Sequence, residues 1–205
     1  SRVRTPPSAL PRNFGSFVQA RARSPVMATI DLKGVKSILF VCLGNTCRSP
    51  AAEGLARKFA RDMFPPELFK QLRIESAGMN HAFTGAQPQS IAFVKQLGGD
   101  DISGHVSRTV TAAMAGQFDL IIVMETYMRD FMASQFPEIP TIRSKTFTLK
   151  ELCANELHPS SLDIEDPYMM PDPYYLAVIT EIRDFTRCFV SRWAAAHKSA
   201  HAPTK

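Results

Sequence analysis

The sequence predicts an α/β fold: a single domain on an open parallel sheet flanked by helices, with an anion-binding loop between the first strand and the first helix. Three observations predict it. Residues 35–41 and 118–124 are near-continuous apolar runs without polar alternation, as in strands covered on both faces. Each run leads into a segment with helical apolar spacing, so strands and helices alternate along the chain. The turn after the first run, Cys42-Leu-Gly-Asn-Thr-Cys-Arg48, is short and contains Gly44 and Asn45, residues that permit tight backbone geometry.

The elements follow in order. After the first strand, Ser49 reads as a helix cap and Pro50 as the first helical residue, with Leu55, Phe59 and Met63 on one stripe. A short strand is expected at 72–75, then a Gly-bearing loop and a helix at 88–97. The second apolar run, 118–124, is followed by a helix at 126–136 and a third candidate strand at 145–149. Residues 175–196 form a long helix with Val178, Ile182, Phe185, Phe189 and Trp193 at helical spacing.

Length and charge bound the organisation. At 205 residues and 45% hydrophobic, the chain has material for one globular core and shows no internal repeat. The formal charge of +5 is localised: residues 1–30 hold Arg2, Arg4, Arg12, Arg21 and Arg23 and no acid, leaving 24 − 5 = 19 bases against 19 acids in the rest. A neutral folded part excludes a basic nucleic-acid face. Residues 1–33 are expected to be a disordered basic segment, 34–197 the folded domain and 198–205 a tail. The acid-free N-terminus resembles an organelle transit peptide; Met27 is an alternative start, with the residues before it a leader. Cytoplasmic location is the main expectation and import through residues 1–30 the alternative. No apolar stretch approaches the length of a membrane span.

Cys42, Cys47, Cys153 and Cys188 lack the paired spacing of a zinc site, and all four are expected to be free thiols, with Cys153 and Cys188 buried as small hydrophobes. The loop of 42–48 is where chemistry concentrates. Inward N–H groups, a helix N-terminus, Arg48 and the Ser49 hydroxyl favour Cys42 as thiolate and nucleophile. Arg48 supplies a planar fork for two oxygens of a phosphate, which lysine cannot do bidentately. The bland alternative is a buried cysteine beside a chance arginine, since a Cys-x5-Arg spacing alone is a weak pattern. The strand before it and the Ser-Pro helix start after it favour the functional reading.

Val41-Cys-Leu-Gly-Asn-Thr-Cys-Arg-Ser-Pro50 resembles the phosphate loop of the low-molecular-weight protein tyrosine phosphatases. Glu75-Ser-Ala-Gly78, Ser103-Gly-His105, residues 118–124 and Ile164-Glu-Asp-Pro-Tyr168 follow in the family's order, so the resemblance covers roughly residues 36–195. It implies metal-independent hydrolysis of protein phosphotyrosine through a cysteinyl-phosphate, with phosphorylated proteins as partners and no cofactor. Cys42 is then the nucleophile, with Arg48 and the amides of Leu43, Gly44, Asn45, Thr46, Cys47, Arg48 and Ser49 holding phosphate. Asp166 is the general acid and base. Asn45, Ser76 and His105 support the loop, Ser49 bonds the thiolate, and Cys47 resembles a thiol that traps an oxidised nucleophile. The other histidines are expected at the surface or in loops.

The acid has an alternative, because Asp172-Pro-Tyr-Tyr175 repeats the signal six residues later; for each aspartate the bland reading is an Asx-turn before proline. Substrate has one too. Met169 replaces the family's frequent second aromatic, Glu125 stands where an Asp is common, and Phe83 and Tyr168 are the candidate pocket walls. Thr46 is characteristic of the protein arginine phosphatase branch, and its hydroxyl can pair with a guanidinium N–H. Two further readings, an arsenate reductase or a non-catalytic phosphate-binding module, are disfavoured. The first needs more cysteines between Cys47 and Cys153, and the second is at odds with an intact Cys42, Arg48 and Asp166.

Overall fold

A computed structural model describes residues 30–80 and 84–200, the last two for backbone alone. The expectations for residues 1–29, His81, Phe83 and 201–205 lie outside the described residues. The order is β1 (Ser37–Cys42), α1 (Arg48–Met63), α2 (Pro66–Phe69), β2 (Arg73–Gly78), α3 (Pro88–Gln96) and α4 (Ala112–Gln117). It continues with β3 (Leu120–Val123), α5 (Thr126–Gln135), β4 (Thr146–Thr148), a 3-10 turn (Glu151–Cys153), α6 (Ala154–Leu157) and α7 (Asp172–Ala200).

The four strands pair in the order β2-β1-β3-β4, all parallel. Ile38 to Val41 of β1 lie opposite Ile74 to Ala77 on one side and Leu120 to Val123 on the other, so every β1 side chain from Ile38 onward is buried. The chain leaves β1 toward β2 on one side and returns through β3 on the other. The carboxyl end of β1 is thus a topological switch point, where parallel sheets open a crevice for ligands. The Cys42–Arg48 loop occupies it.

Helices cover the sheet because their apolar stripes need partners. α1 and α7 pack along each other with α3 against both, while α5 packs on β3 and β4. Trp193 of α7 is fully buried, stacks on Phe189, meets Phe64 edge-on and donates its indole N–H to Val35 O at 2.8 Å. Burying each such side chain contributes about 1.5–3 kcal/mol. The edge between β1 and β3 is tied by Asp119, whose Oδ2 accepts from Lys36 N (2.9 Å), Ser37 N (2.8 Å) and Ser37 Oγ (2.8 Å).

Several expectations are corrected. Helix α1 begins at Arg48, not Pro50, and its N-cap is Cys47; Ser49 is already helical, its side chain turned toward Cys42. Residues 30–33 are ordered rather than part of a disordered segment, because Leu32 is buried and Ile30 packs on the core. Residues 198–200 continue α7 instead of starting a tail. Cys153 and Cys188 are joined in a disulfide; α7 brings Cys188 onto the 3-10 turn, with the Cα atoms 6.2 Å apart. His197 is buried against Phe64 and Trp193, its Nδ1 3.2 Å from Trp193 O. Among the described residues no helix is long and apolar enough to cross a membrane.

Candidate active site

Cys42, the last residue of β1, is 2% exposed and opens the loop. The loop is held from outside by its carbonyls: Leu43 O accepts from Asn80 N (2.9 Å), Thr46 O from Gln87 N (2.8 Å), and Cys47 O from Ser90 Oγ (3.2 Å). Among the described residues, no N–H from Leu43 to Arg48 donates to a protein acceptor, so these amides form a nest for an anion. Asn45 takes the left-handed conformation (φ 54°) the turn requires, which its short polar side chain tolerates.

A pocket of about 150 Å³ is lined by Cys42, Leu43, Gly44, Thr46, Cys47, Arg48, Asp166 and Tyr168. The Arg48 guanidinium is 1% exposed: Nη1 donates to Glu125 Oε1 (2.6 Å) and Ile164 O (2.8 Å), Nη2 to Asp166 Oδ2 (2.7 Å). Its Nε is buried without a partner among the described residues, a donor suited to a phosphate oxygen. Burial pulls the guanidinium pKa down, but Cys42, Asp166 and Glu125 outweigh it, so Arg48 stays charged. Asp166 is fixed by its Oδ1, which accepts from Tyr168 N at 3.1 Å.

Behind the loop, Ser49 Oγ lies 3.0 Å from Cys42 Sγ. Asn45 Nδ2 donates to Ser49 Oγ and Ser76 Oγ, both at 2.9 Å, while its Oδ1 accepts from Arg108 N at 3.0 Å. His105 Nε2 (2.9 Å) and Ser107 Oγ (2.8 Å) donate to Asn45 O. Cys47 is a free, buried thiol; burial pushes its pKa up, and hydrogen bonds from Tyr175 and Thr46 offset only part of that, which keeps it protonated. A roomier cavity of about 600 Å³ opens on the rear of this network, lined by Glu53, Arg57, Ser76, Asp100, His105 and Arg108. No thiol lines it, whereas Cys42 and Cys47 line the smaller pocket.

The structure therefore brings Cys42, Thr46, Cys47, Arg48, Asp166 and Tyr168 to one pocket and places Asn45, Ser49, Ser76 and His105 behind it. Asp172 is elsewhere: it opens α7, and its Oδ1 accepts from Gln89 Nε2 at 2.5 Å. Sequence reasoning did not assign Glu125 as the clamp on Arg48, although an acid just past a strand's carboxyl end is a signal. It also passed over Glu53, which lies one helical turn after Ser49, on the same face. Gly78 was noted only as part of a motif. A Cβ there would lie 2.9 Å from Asn45 N and from Gly44 C, so the end of β2 passes the loop only as glycine. The Cys153–Glu156–Cys188 group has metal-ligand proximity, but its sulfurs are in the disulfide and Glu156 pairs with Arg192.

A parallel sheet whose first strand ends in a thiol, an amide-lined loop and a buried arginine, faced by a carboxylate from a distant segment, defines a cysteine-loop phosphatase. The chain belongs to the low molecular weight phosphotyrosine protein phosphatase family, whose family model matches residues 37–199. It is 31% identical over 163 residues to the human low molecular weight phosphotyrosine protein phosphatase, covering 78% of this chain and 97% of that one. Its fold is similar to the tyrosine phosphatase Wzb from Escherichia coli K30 in complex with sulphate (TM-score 0.62, 29% identity, 78% of this chain and 97% of that chain). It is also similar to the YwlE arginine phosphatase from Geobacillus stearothermophilus (TM-score 0.67, 25% identity, 82% and 99%).

Proposed function

We propose that this protein hydrolyses phosphotyrosine in phosphorylated proteins through a cysteinyl-phosphate, with Cys42 as nucleophile, Arg48 and the loop amides as phosphate ligands, and Asp166 as acid and base. The observation that carries the reading is that Cys42, Arg48 and Asp166 line one phosphate-sized pocket whose N–H groups are uncommitted. In the first step the Cys42 sulfur attacks phosphorus, the P–O bond to the tyrosyl oxygen breaks, and protonated Asp166 delivers its proton to that oxygen. In the second, the Asp166 carboxylate takes a proton from water as its oxygen attacks phosphorus. The S–P bond then breaks, releasing inorganic phosphate and the thiolate. Arg48 and the amides hold the equatorial oxygens throughout, where charge accumulates. Every step uses groups of the chain, substrate and water.

The Arg48–Asp166 ion pair gives substrate binding a definite consequence. A phosphate dianion seated on Arg48 competes with the Asp166 carboxylate for the guanidinium, and the displaced carboxylate faces a like charge.

A second reading, hydrolysis of protein phosphoarginine by the same steps, is favoured by Thr46 in the pocket lining and by the similarity to an arginine phosphatase. Arsenate reduction is disfavoured because Cys153 and Cys188 do not line the pocket and are bonded to each other. Turnover of phosphotyrosyl and phosphoarginyl peptides by wild type and Thr46→Ile decides between the first two. The proposal expects phosphotyrosine to be the better substrate of the wild type. A wild-type preference for phosphoarginine that Thr46→Ile reverses assigns the chain to the second reading.

A further inference from the structure

We infer that Glu53 is a positioning residue for the nucleophile: its carboxylate fixes the direction of a hydrogen-bond chain that ends on Cys42. The inference rests on the phosphatase reading for its link to turnover, and on geometry alone for its effect on the thiol. Glu53 lies in the second turn of α1 and is largely covered; its Oε2 accepts from Ser76 Oγ at 2.6 Å, and its Oε1 is 2.8 Å from Arg57 Nη2.

Donor accounting sets the direction. Asn45 Oδ1 is taken by the Arg108 N–H, so the Asn45 side chain faces both serines with its NH₂ group. Ser76 Oγ receives one of these hydrogens and must send its own elsewhere; the Glu53 carboxylate is the acceptor in place. Ser49 Oγ receives the other, which leaves its hydrogen for Cys42 Sγ at 3.0 Å or for Ala77 O at a longer 3.3 Å. Ser49, Ser76 and Asn45 are all fully buried, so no member of the chain can turn to bulk solvent instead.

Removing the acceptor at position 53 reverses this order. Where an apolar side chain of similar length keeps the water of the neighbouring cavity off Ser76, the Ser76 hydrogen finds a partner when the Asn45 amide turns over and presents Oδ1. In that orientation Ser49 gives its hydrogen to the amide oxygen and the sulfur loses its donor, while Asn45 Nδ2 confronts the Arg108 N–H. Glu53 thus acts on sulfur through four hydrogen bonds and three intervening side chains, without touching it or the substrate. Its charge is not what matters, since Arg57 already balances it; its acceptor oxygen is.

The test is the pH dependence of Cys42 alkylation by iodoacetamide, located by peptide mass spectrometry, together with the pH profile of kcat/KM on an aryl phosphate. Glu53→Met keeps the volume and helix preference but has no acceptor. It should slow alkylation about tenfold at mildly acid pH, the scale of a lost charge-assisted hydrogen bond, and move the acidic limb of kcat/KM to higher pH. Glu53→Gln keeps an acceptor oxygen and should follow the wild-type profile; Glu53→Leu, which also fills the space beside the cavity, replaces Glu53→Met should the latter not fold. An acceptor-free variant that superimposes on wild type, or a Gln variant that shifts as far as Met, overturns the inference. Absence of wild-type turnover with the alkylation shift intact would count against the phosphatase reading and leave the Glu53 assignment standing.

Discussion

In the proposed mechanism, replacing Asp166 by Asn removes the proton donor to the leaving group; it also removes one of the two carboxylates on Arg48, while keeping shape and the Tyr168 N–H contact. A positioned acid contributes about 10²–10⁴-fold. Because the Asp166 side chain is 38% exposed, water can partly stand in for it, which places the expected loss in kcat in the lower part of that range. A fall of about 10²–10³-fold corresponds to about 2.7–4 kcal/mol of transition-state stabilisation. The same substitution removes a negative charge that competes with substrate for Arg48, so KM should hold or fall while kcat drops. The assay is steady-state hydrolysis of aryl phosphates whose leaving groups differ in basicity. The deficit should widen as the leaving oxygen becomes more basic, because a good leaving group needs no proton. Asp172→Asn is the control; its carboxylate is held by Gln89 at the start of α7, and it should stay within a few-fold of wild type. If Asp172→Asn shows the large, leaving-group-dependent loss and Asp166→Asn does not, the assignment of the acid is refuted.

Three further outcomes follow from the packing. Gly78→Ala puts a methyl group 2.8 Å from Asn80 O and against the loop backbone; a displacement of about 1 Å there should cost on the order of 10²-fold in kcat/KM and weaken competition by inorganic phosphate, with unchanged kinetics as the contrary result. Cys188→Ser opens a link between residues 35 apart in sequence and should lower stability by about 2–4 kcal/mol in denaturant without reductant. Adding reductant should bring the wild type down to the variant; a wild type equal to the variant and indifferent to reductant would contradict this. Asp119 is held below the usual carboxylate range: burial pushes it up, but the Lys36 and Ser37 donors outweigh that. Its contribution is therefore present above about pH 4 and lost as pH falls through the lower folded value. Because the carboxylate is exposed, Asp119→Ala should cost only about 1 kcal/mol at neutral pH, with the gap closing in acid, as read by denaturant midpoints.

The central strands were legible because burial on both faces leaves an unbroken apolar run, as at Ile38 to Val41 and Leu120 to Val123. Helices α2, α4 and α6 have only four to six residues each, too short for a 3.6-residue period to register. The start of α1 was misread for a physical reason: Ser49-Pro50 looks like a cap, but the anion nest draws Cys47 and Arg48 into the helix entry and leaves Ser49 to face the sulfur. Cys42 and Arg48 were legible as neighbours in one loop. Asp166 was visible through its motif, although its reach to Arg48 depends on Ile164 N bonding Met124 O at the end of β3. The disulfide and the contacts of Glu53 with Ser76, of Glu125 with Arg48 and of Gly78 with the loop are tertiary: each partner comes from another element, and no local pattern announces the pairing.

The most direct test of the covalent mechanism is rapid acid quench of Asp166→Asn with an activated aryl phosphate. Its good leaving group lets the first step proceed, while the missing base slows the second. Peptide mass analysis should then find one phosphoryl group on Cys42, chased by time and missing from the Cys42→Ser peptide as a thiophosphate. A phosphoryl group on another residue, no covalent phosphoryl at any time point, or full activity in Cys42→Ser would contradict the account.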